Sequence, residues 1–178
     1  MLWKNTESGY SLIGKTLHWA LAGLIISQIG LGLYLENAKI GVADLYLYGW
    51  HKALGMLAFS LIFVRIFWRL STTAPQPLGV QNFQAKLAKS LHRLLYVLMV
   101  VIPLSGWIAS SASGFPMSFF NLFPLPAIAP VSEPIETAFF AIHDVAGKLL
   151  IVALALHMAG ALQRHFIKRD ATLHRMWF

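Results

Sequence analysis

The sequence has no cysteine and very little charge. The absence of cysteine excludes disulfides, c-type haem attachment, iron–sulfur clusters and cysteine-ligated zinc. Only 12% of the 178 residues are charged and 57% are hydrophobic, whereas an average soluble domain is about 25% charged. A chain of this length would form one soluble domain, and its surface would need far more charge, so the composition argues against a soluble globular enzyme. The aromatic and aliphatic content excludes a disordered chain.

Long apolar runs are what the sequence does contain. Four of them reach the roughly 20 residues that a membrane-spanning helix needs, and they occupy residues 16–35, 50–70, 91–112 and 139–163. The first run is too long for a cleavable signal peptide, and no small-residue cleavage site follows it. We predict an all-α protein, a single transmembrane four-helix bundle over residues 1–178.

Acidic residues are also scarce, with seven against fourteen lysines and arginines, and the basic residues are unevenly placed. Most of them fall in the two terminal segments or around the second connection: Lys4, Lys15, Arg65, Arg69, Lys86, Lys89, Arg93, Arg164, Lys168, Arg169 and Arg175. Lys39, Lys52 and Lys148 fall on the other side of the bundle, with most of the acids. Because basic residues accumulate on the cytoplasmic side, we predict that both termini are cytoplasmic. The net charge of +7 then reflects topology, so we expect membrane lipid and no nucleic acid as a partner.

Two features break the helical pattern. Pro103 lies inside the third run and predicts a kink there. The third connection, about residues 113–138, is predicted to be an ordered outer cap with a short helix near residues 132–140. Its apolar residues form a candidate docking surface. The cap prolines are Pro116, Pro124, Pro126, Pro130 and Pro134, and the docking residues are Phe119, Phe120, Leu122, Phe123 and Leu125.

Seven histidines are the most unusual part of the composition. Ionisable groups within spans are costly and therefore candidate functional residues. His143 and His157 are fourteen residues apart on the fourth run, which places them about 21 Å apart along the helix and about 40° short of facing the same way. His51 matches the depth of His143 on the outer side, and His18 matches His157 on the inner side. Two pairs of imidazoles at two depths are what two stacked bis-histidine haems require.

Small residues one helical turn from each histidine strengthen this interpretation, because a haem must approach the helix backbone closely. Gly55 follows His51 by four residues, and Gly147 follows His143 by four. Ordinary helix packing in membranes also favours small residues. The other two sites have similar neighbours, namely Gly14, Ala22, Ala153, Gly160 and Ala161.

Other interpretations of the polar residues stay open. Zinc or copper would need three or four clustered ligands, which the two depth classes disfavour. His92 is an alternative inner ligand, or a residue that contacts a haem propionate or a quinone, with Arg93 beside it. The cations near each site either bind propionates or extend to lipid phosphates. Lys148, on the outer side with Lys52, also forms an i,i+4 pair with Asp144. The remaining candidate cations are Lys15, Arg65 and Arg69.

Several segments together resemble a known family. They are LHW around His18, WHKALG around His51, LHRLLY leading to IPLSGW, IHDVAGKLLIVALALHMAGAL, and the tail QRHFIKRDATLHRM. Over nearly the whole chain they resemble the bacterial cytochrome b561 family. The third connection, with PMSFFNLFPLP, most resembles the branch found beside periplasmic lipid-binding proteins.

The resemblance implies two haem b groups in a bundle in the bacterial inner membrane, which exchanges electrons with quinone, either ubiquinone or menaquinone. It implies axial-ligand roles for His18, His51, His143 and His157. Relatives include superoxide-oxidising, quinone-reducing enzymes and cytochrome subunits of larger dehydrogenases. Two functions therefore stay open: a quinone-linked oxidoreductase, with superoxide among its candidate substrates, and an electron-relay subunit for a periplasmic or membrane partner protein. A transporter is disfavoured because the spans show no paired broken helices or inverted repeats.

Overall fold

The structure is a computed structural model that describes residues 5–6, 9–38, 41–73, 75, 78, 83–115 and 117–177, without the side chains of residues 42 and 43. Lys4, Lys39 and Pro116 lie outside the described residues.

Four long helices make up most of the chain. They are α1 (Leu12–Asn37), α2 (Val42–Ser71), α3 (Phe83–Ala112) and α4 (Glu133–Phe166). Each contains one predicted span, and all four are long and apolar enough to cross a membrane. Helices suit such sequences because they satisfy every backbone hydrogen bond within the segment. The predicted membrane four-helix bundle is confirmed.

The helices extend beyond the predicted spans because their ends are capped by polar residues. Ser11 Oγ accepts from the Gly14 amide at 3.2 Å at the start of α1. Asp44, in the first turn of α2, accepts from the Gly41 amide at 2.8 Å. The first turn of α4 is acidic and its last turn is basic, which complements the helix dipole. Hydropathy identifies the apolar centre of a helix, and the capped, more polar turns on either side escape it.

One local prediction is wrong. The short helix expected near residues 132–140 is the beginning of α4 itself, which runs unbroken from Glu133. Pro134 lies in its first turn, where a proline ring fits and no hydrogen-bonding amide is lost. Pro103 lies inside α3, as the sequence indicates.

The helices pack as two antiparallel pairs, α1 with α2 and α3 with α4, and α2 also contacts α3. A buried apolar cluster fills the middle of the bundle, and side chains of α1 pack against it. Its buried members are Leu95, Leu98, Ala146, Leu150 and Ala153. The α1 side chains that pack against it, Ile25 and Ile29, are partly buried. The cluster therefore separates the two ends of the bundle.

Both terminal segments and the α2–α3 connection meet at one end, which we call the inner end. Lys15 Nζ donates to the backbone oxygen of Trp177 at 2.6 Å, and Trp19 Nε1 donates to that of Met176 at 2.7 Å. Arg164 donates to the backbone oxygen of Leu78 at 2.9 Å. The opposite end is the outer end.

A small cap covers part of the outer end. It contains β1 (Met117–Phe119) and β2 (Phe123–Leu125), which pair antiparallel with Phe119 opposite Phe123. Trp107 Nε1 fixes the cap to α3 by donating to the backbone oxygen of Pro126 at 3.0 Å. Phe120 packs edge-on against Trp50 of α2, with ring centroids 5.5 Å apart. The predicted ordered cap is present, and part of its expected docking surface packs against the bundle.

Candidate functional site

The four candidate ligands form two histidine pairs. At the outer end, the ring centroids of His51 on α2 and His143 on α4 lie 6.1 Å apart. At the inner end, those of His18 on α1 and His157 on α4 lie 6.3 Å apart. We call these the outer pair and the inner pair. Helix α4 contributes one histidine to each, so its fourteen-residue spacing sets the distance between the pairs.

The separation within each pair suits a single metal ion between two imidazoles. A metal–imidazole bond of about 2 Å on each side, plus about 1 Å from each nitrogen to its ring centroid, gives a centroid separation of about 6 Å. Both pairs have this value. Two axial imidazoles fill the positions above and below a haem plane, so a haem held this way has no open coordination site.

His143 is the most firmly oriented of the four. Its Nδ1 lies 2.8 Å from the backbone oxygen of Ile102, so Nδ1 carries the proton and Nε2 keeps the lone pair that binds metal. A Cβ atom on Gly106 would lie only 3.0 Å from the Cε1 and Nδ1 atoms of this ring. Helix α3 therefore supplies both an acceptor and the space that the ring needs.

His51 lies in a closely packed but less polar setting. A Cβ atom on Gly32 of α1 would lie 3.5 Å from its Cε1. Its Nδ1 is buried and has no hydrogen-bond partner among the described residues. Gln28, one turn inward on α1, also has a buried amide nitrogen without a partner in that part of the chain. The outer pair thus has one histidine with a backbone acceptor and one without.

The inner pair lies among cations. Arg65 Nη1 donates to the backbone oxygen of Gly14 at 3.2 Å, and its Nη2 lies 3.2 Å from His18 Nδ1. The His92 ring is 5.0 Å from that of His157, about 1 Å shorter than a metal between two imidazoles requires. His92 Nδ1 lies 2.7 Å from the backbone oxygen of Ala88. This geometry favours His18 over His92 as the partner of His157.

The small residues predicted beside the ligands behave differently from one another. Apart from its chain neighbours and the backbone of its own helix, nothing described lies within 4 Å of where a Cβ on Gly147 would be, whereas a Cβ on Gly55 would be 3.7 Å from Gln28 Oε1. The open space at Gly147 fits a flat macrocycle beside His143. The residues present thus fit a bis-histidine haem at each pair: correct ring separation, a fixed tautomer at His143, and room beside α4.

The predicted cations are only partly brought to the sites. Lys148 pairs with Asp144 at 2.8 Å and with Glu36 at 3.5 Å, and its side chain is 57% exposed. Two carboxylates therefore offset its charge. Lys52 is half-buried next to His51, and Arg93 is exposed beside His92. No group of three or more histidine or acidic side chains in the described ranges could hold a metal as a cluster.

Three contacts escaped sequence reasoning: the Ile102 carbonyl, Gly106 and Gly32. Gly106 lies in the IPLSGW segment, three residues after Pro103. Nothing in that segment indicates which side chain of another helix the glycine faces. Which glycine faces a histidine depends on helix pairing, which no local pattern contains.

Comparison with known proteins identifies the family of the chain. A family model described as prokaryotic cytochrome b561 matches residues 9–178. The chain is 31% identical over 185 residues to cytochrome b561 homolog 2 of Escherichia coli, covering 99% of this chain and 95% of that protein. It is 30% identical over 121 residues to cytochrome b561 homolog 1 of the same organism, covering 68% and 66%. It is 26% identical over 179 residues to cytochrome b562 of Cereibacter sphaeroides, covering 96% of each.

Proposed function

Because the chain belongs to the prokaryotic cytochrome b561 family, and so is a multi-pass bacterial membrane protein of electron transfer, we propose that it carries two haem b groups. We further propose that it passes electrons between a periplasmic donor or acceptor and the quinone pool. One observation supports this most: α4 places a histidine in each of two imidazole pairs, at 6.1 Å and 6.3 Å.

The chain's own residues would bind, orient and insulate the two groups. Bound haem b supplies reversible one-electron oxidation and reduction at its iron. His51 and His143 would hold the outer haem, with the Ile102 carbonyl orienting His143. His18 and His157 would hold the inner one.

The surroundings of the two pairs differ in charge. The inner pair lies near the two guanidinium groups of Arg65 and Arg69. The outer pair lies near one half-buried lysine, Lys52, and near Lys148, whose charge two carboxylates offset. Positive charge stabilises the reduced, more electron-rich form of a haem. We therefore infer that the inner haem has the higher midpoint potential, which favours electron flow from the outer haem inward. The apolar cluster between the pairs excludes water from the path.

The test begins with spectroscopy. Purified protein should show a b-type α-band in its reduced-minus-oxidised spectrum and about two haems per chain by pyridine haemochrome. H143A and H157A should each remove one haem, whereas H165A and H174A, matched controls near the end of α4 and in the tail, should retain both. H92Q should also retain both. Loss of a haem in H92Q with retention in H18A would reassign the inner ligand.

Quinone linkage needs a separate measurement. Adding quinol to the purified protein should reduce both haems, and adding quinone should oxidise them. If neither changes the redox state of the haems, the proposed link to quinone is wrong. Superoxide is the less favoured donor, because an anionic substrate is steered by positive charge and Lys148 is paired with Asp144 and Glu36. Rapid reduction of the haems by a superoxide generator would show that superoxide is nevertheless a donor.

An electron-relay subunit for a periplasmic protein is the second candidate function, and the cap supports it. Phe115, Leu122 and Phe123 are 70%, 76% and 51% exposed, and exposed apolar patches of this kind mark contact surfaces. Because the chain has no cysteine, L122C carries a single site for a photo-crosslinker. Adducts with one periplasmic protein at L122C, and none at the lipid-facing control L156C, would favour the relay.

A further inference from the structure

A small cavity with several polar side chains in its wall lies at the inner end. Its volume is about 30 Å³, enough for about two water-sized oxygen atoms. Gly14, Arg65, Trp68, Arg69 and Tyr96 contribute to its wall. The cavity therefore lies between the start of α1, the C-terminal end of α2 and Tyr96 of α3.

The N-terminal segment closes this cavity through fixed hydrogen bonds. The Asn5 side-chain amide donates to Thr72 Oγ1 at 3.2 Å and to the backbone oxygen of Thr73 at 2.9 Å. Its oxygen accepts from the Ser11 amide at 2.9 Å. Asn5 and Thr72 both line the cavity, so its wall is held in place from both sides.

The polar side chains that line the cavity include three that can only donate, beside hydroxyls such as those of Thr72 and Tyr96. Trp68 Nε1 is buried and has no hydrogen-bond partner among the described residues, and a buried donor left unpaired is costly. The side chains of Arg65, Trp68 and Arg69 can donate but cannot accept. Such a set is complementary to acceptor oxygens that carry negative charge.

Arg65 links the cavity to the inner pair. Its Nη2 lies 3.2 Å from His18 Nδ1. If His18 binds a metal through Nε2, its Nδ1 carries a proton and cannot accept from a guanidinium. Arg65 then needs another acceptor, and the cavity beside it is where one can be placed.

Building on the proposed function, we propose that this cavity binds one propionate carboxylate of the inner haem, through Trp68 Nε1, Arg65 and Arg69. A carboxylate has two acceptor oxygens, which matches the cavity in size, and its charge matches the two guanidinium groups. Trp68 is then a positioning residue. Its hydrogen bond to the propionate fixes the orientation of the inner haem and favours the ionised form of that carboxylate.

The conservative variant W68F tests this by removing the N–H donor and keeping an aromatic ring. W50F, at the outer end, is the matched control. We expect W68F to shift the propionate bending bands in the resonance Raman spectrum and to lower the midpoint potential of the inner haem, while both haems stay bound and low-spin. W50F should change neither. Unchanged bands and potential in W68F would overturn the proposal.

A second variant, R69Q, keeps the proposal falsifiable if W68F folds poorly, because Arg69 lies at the edge of the cavity and is exposed. It should shift the same bands. An inner-leaflet phospholipid has the same anionic oxygens, so phosphorus retained by each purified variant is measured in parallel. Unshifted bands with loss of bound anionic lipid would assign the cavity to a lipid phosphate and overturn the propionate. A wild-type chain that binds no haem would instead refute the proposed function.

Discussion

Gly106 is the residue where the backbone and a candidate ligand approach most closely. A methyl group there would lie 3.0 Å from two atoms of the His143 ring, tighter than nine in ten real Cβ contacts, so the ring would have to move by a few tenths of an ångström. G106A should therefore displace His143 and weaken the outer haem selectively, leaving one tightly held haem per chain. Haem-to-protein ratio and the low-spin EPR signals of the two haems measure this.

G147A is the companion variant: apart from the backbone of its own helix and its chain neighbours, nothing described lies within 4 Å of the added methyl, so His143 is not displaced. Whereas G106A displaces the His143 ring, G147A fills the space beside that ring. If a macrocycle occupies that space, G147A lowers haem retention without moving the ring. If neither variant alters haem content, the outer pair is not a haem site.

Lys148 is the second residue whose role the structure sharpens. Its ammonium group lies between Asp144 and Glu36, about 7.5 Å along α4 from His143. K148Q leaves the two carboxylates uncompensated, so the outer haem should become harder to reduce and its midpoint potential should fall. D144N should shift the potential upward. Potentiometric titration resolves both, and equal shifts at the inner haem would contradict a local electrostatic effect.

At the residue level, helical geometry is enough to predict which histidines share a depth, whereas their role as haem ligands stays a prediction. The fourteen-residue spacing of His143 and His157 fixed their depths, and their depth-matched partners do lie beside them. The environment of each ring could not be predicted the same way. The contacts of Gly106 with His143 and of Gly32 with His51 depend on how two helices rotate against each other, which is a tertiary property.

At the scale of elements, the C-terminal tail is a structured latch across the inner end. Arg164 Nε donates to Asp170 at 2.8 Å and its Nη2 lies 2.7 Å from the same carboxylate oxygen. Arg169 turns the chain with a left-handed φ of 51°, and the Thr172 amide donates to Asp170 at 2.9 Å. The tail then reaches Trp19, next to His18.

Asp170 makes this latch sensitive to pH. Burial by itself would raise the pKa of Asp170, but the hydrogen bonds from Thr172 and Arg164 outweigh it and lower the pKa below its usual value. A lowered pKa in the folded state adds stability that is present above the ordinary carboxylate range, near pH 4. That stability is lost as the pH falls through the lower, folded value.

D170N should therefore release the tail at neutral pH, at a cost of about 1–2 kcal/mol of local stability. Hydrogen exchange of residues 167–177 should accelerate, while the spans stay protected. The protection factor of the wild-type tail, that is, its exchange relative to an unfolded chain at the same pH, should fall to that of D170N only in acid below the ordinary carboxylate range. Equal exchange in both proteins at pH 7 would show that the aromatic contact of Trp19 with Trp177 holds the tail without the ion pair.

Element boundaries show where hydropathy stops being informative. The predicted spans lie inside the helices, yet α2 begins at Val42 and α3 at Phe83, each eight residues before the corresponding span. Asp44 caps the start of α2, whereas α3 begins with an amphipathic segment that has no acidic residue in its first turn. The prediction of a separate short helix in the cap is wrong because Glu133 and Pro134 mark the start of α4 itself.

The whole molecule is organised by asymmetry between its two ends. The inner end gathers both terminal segments, the α2–α3 connection and most of the basic residues, whereas the outer end has the cap and the ion pairs of Lys148. The sequence predicts that the inner end is cytoplasmic, since basic residues are retained on that side. The direction of the proposed electron path depends on this orientation.

Two single cysteines can establish the orientation, because the natural chain contains none to interfere. Leu122 in the cap is 76% exposed, and Ala171 in the tail is exposed at the inner end. In intact cells, a thiol reagent that passes the outer but not the inner membrane should label L122C and leave A171C unlabelled. Opening the inner membrane should expose A171C. Labelling of A171C alone in intact cells would show that the bundle has the opposite orientation. The inner pair and its cations would then face the periplasm, where they could steer an anionic donor such as superoxide.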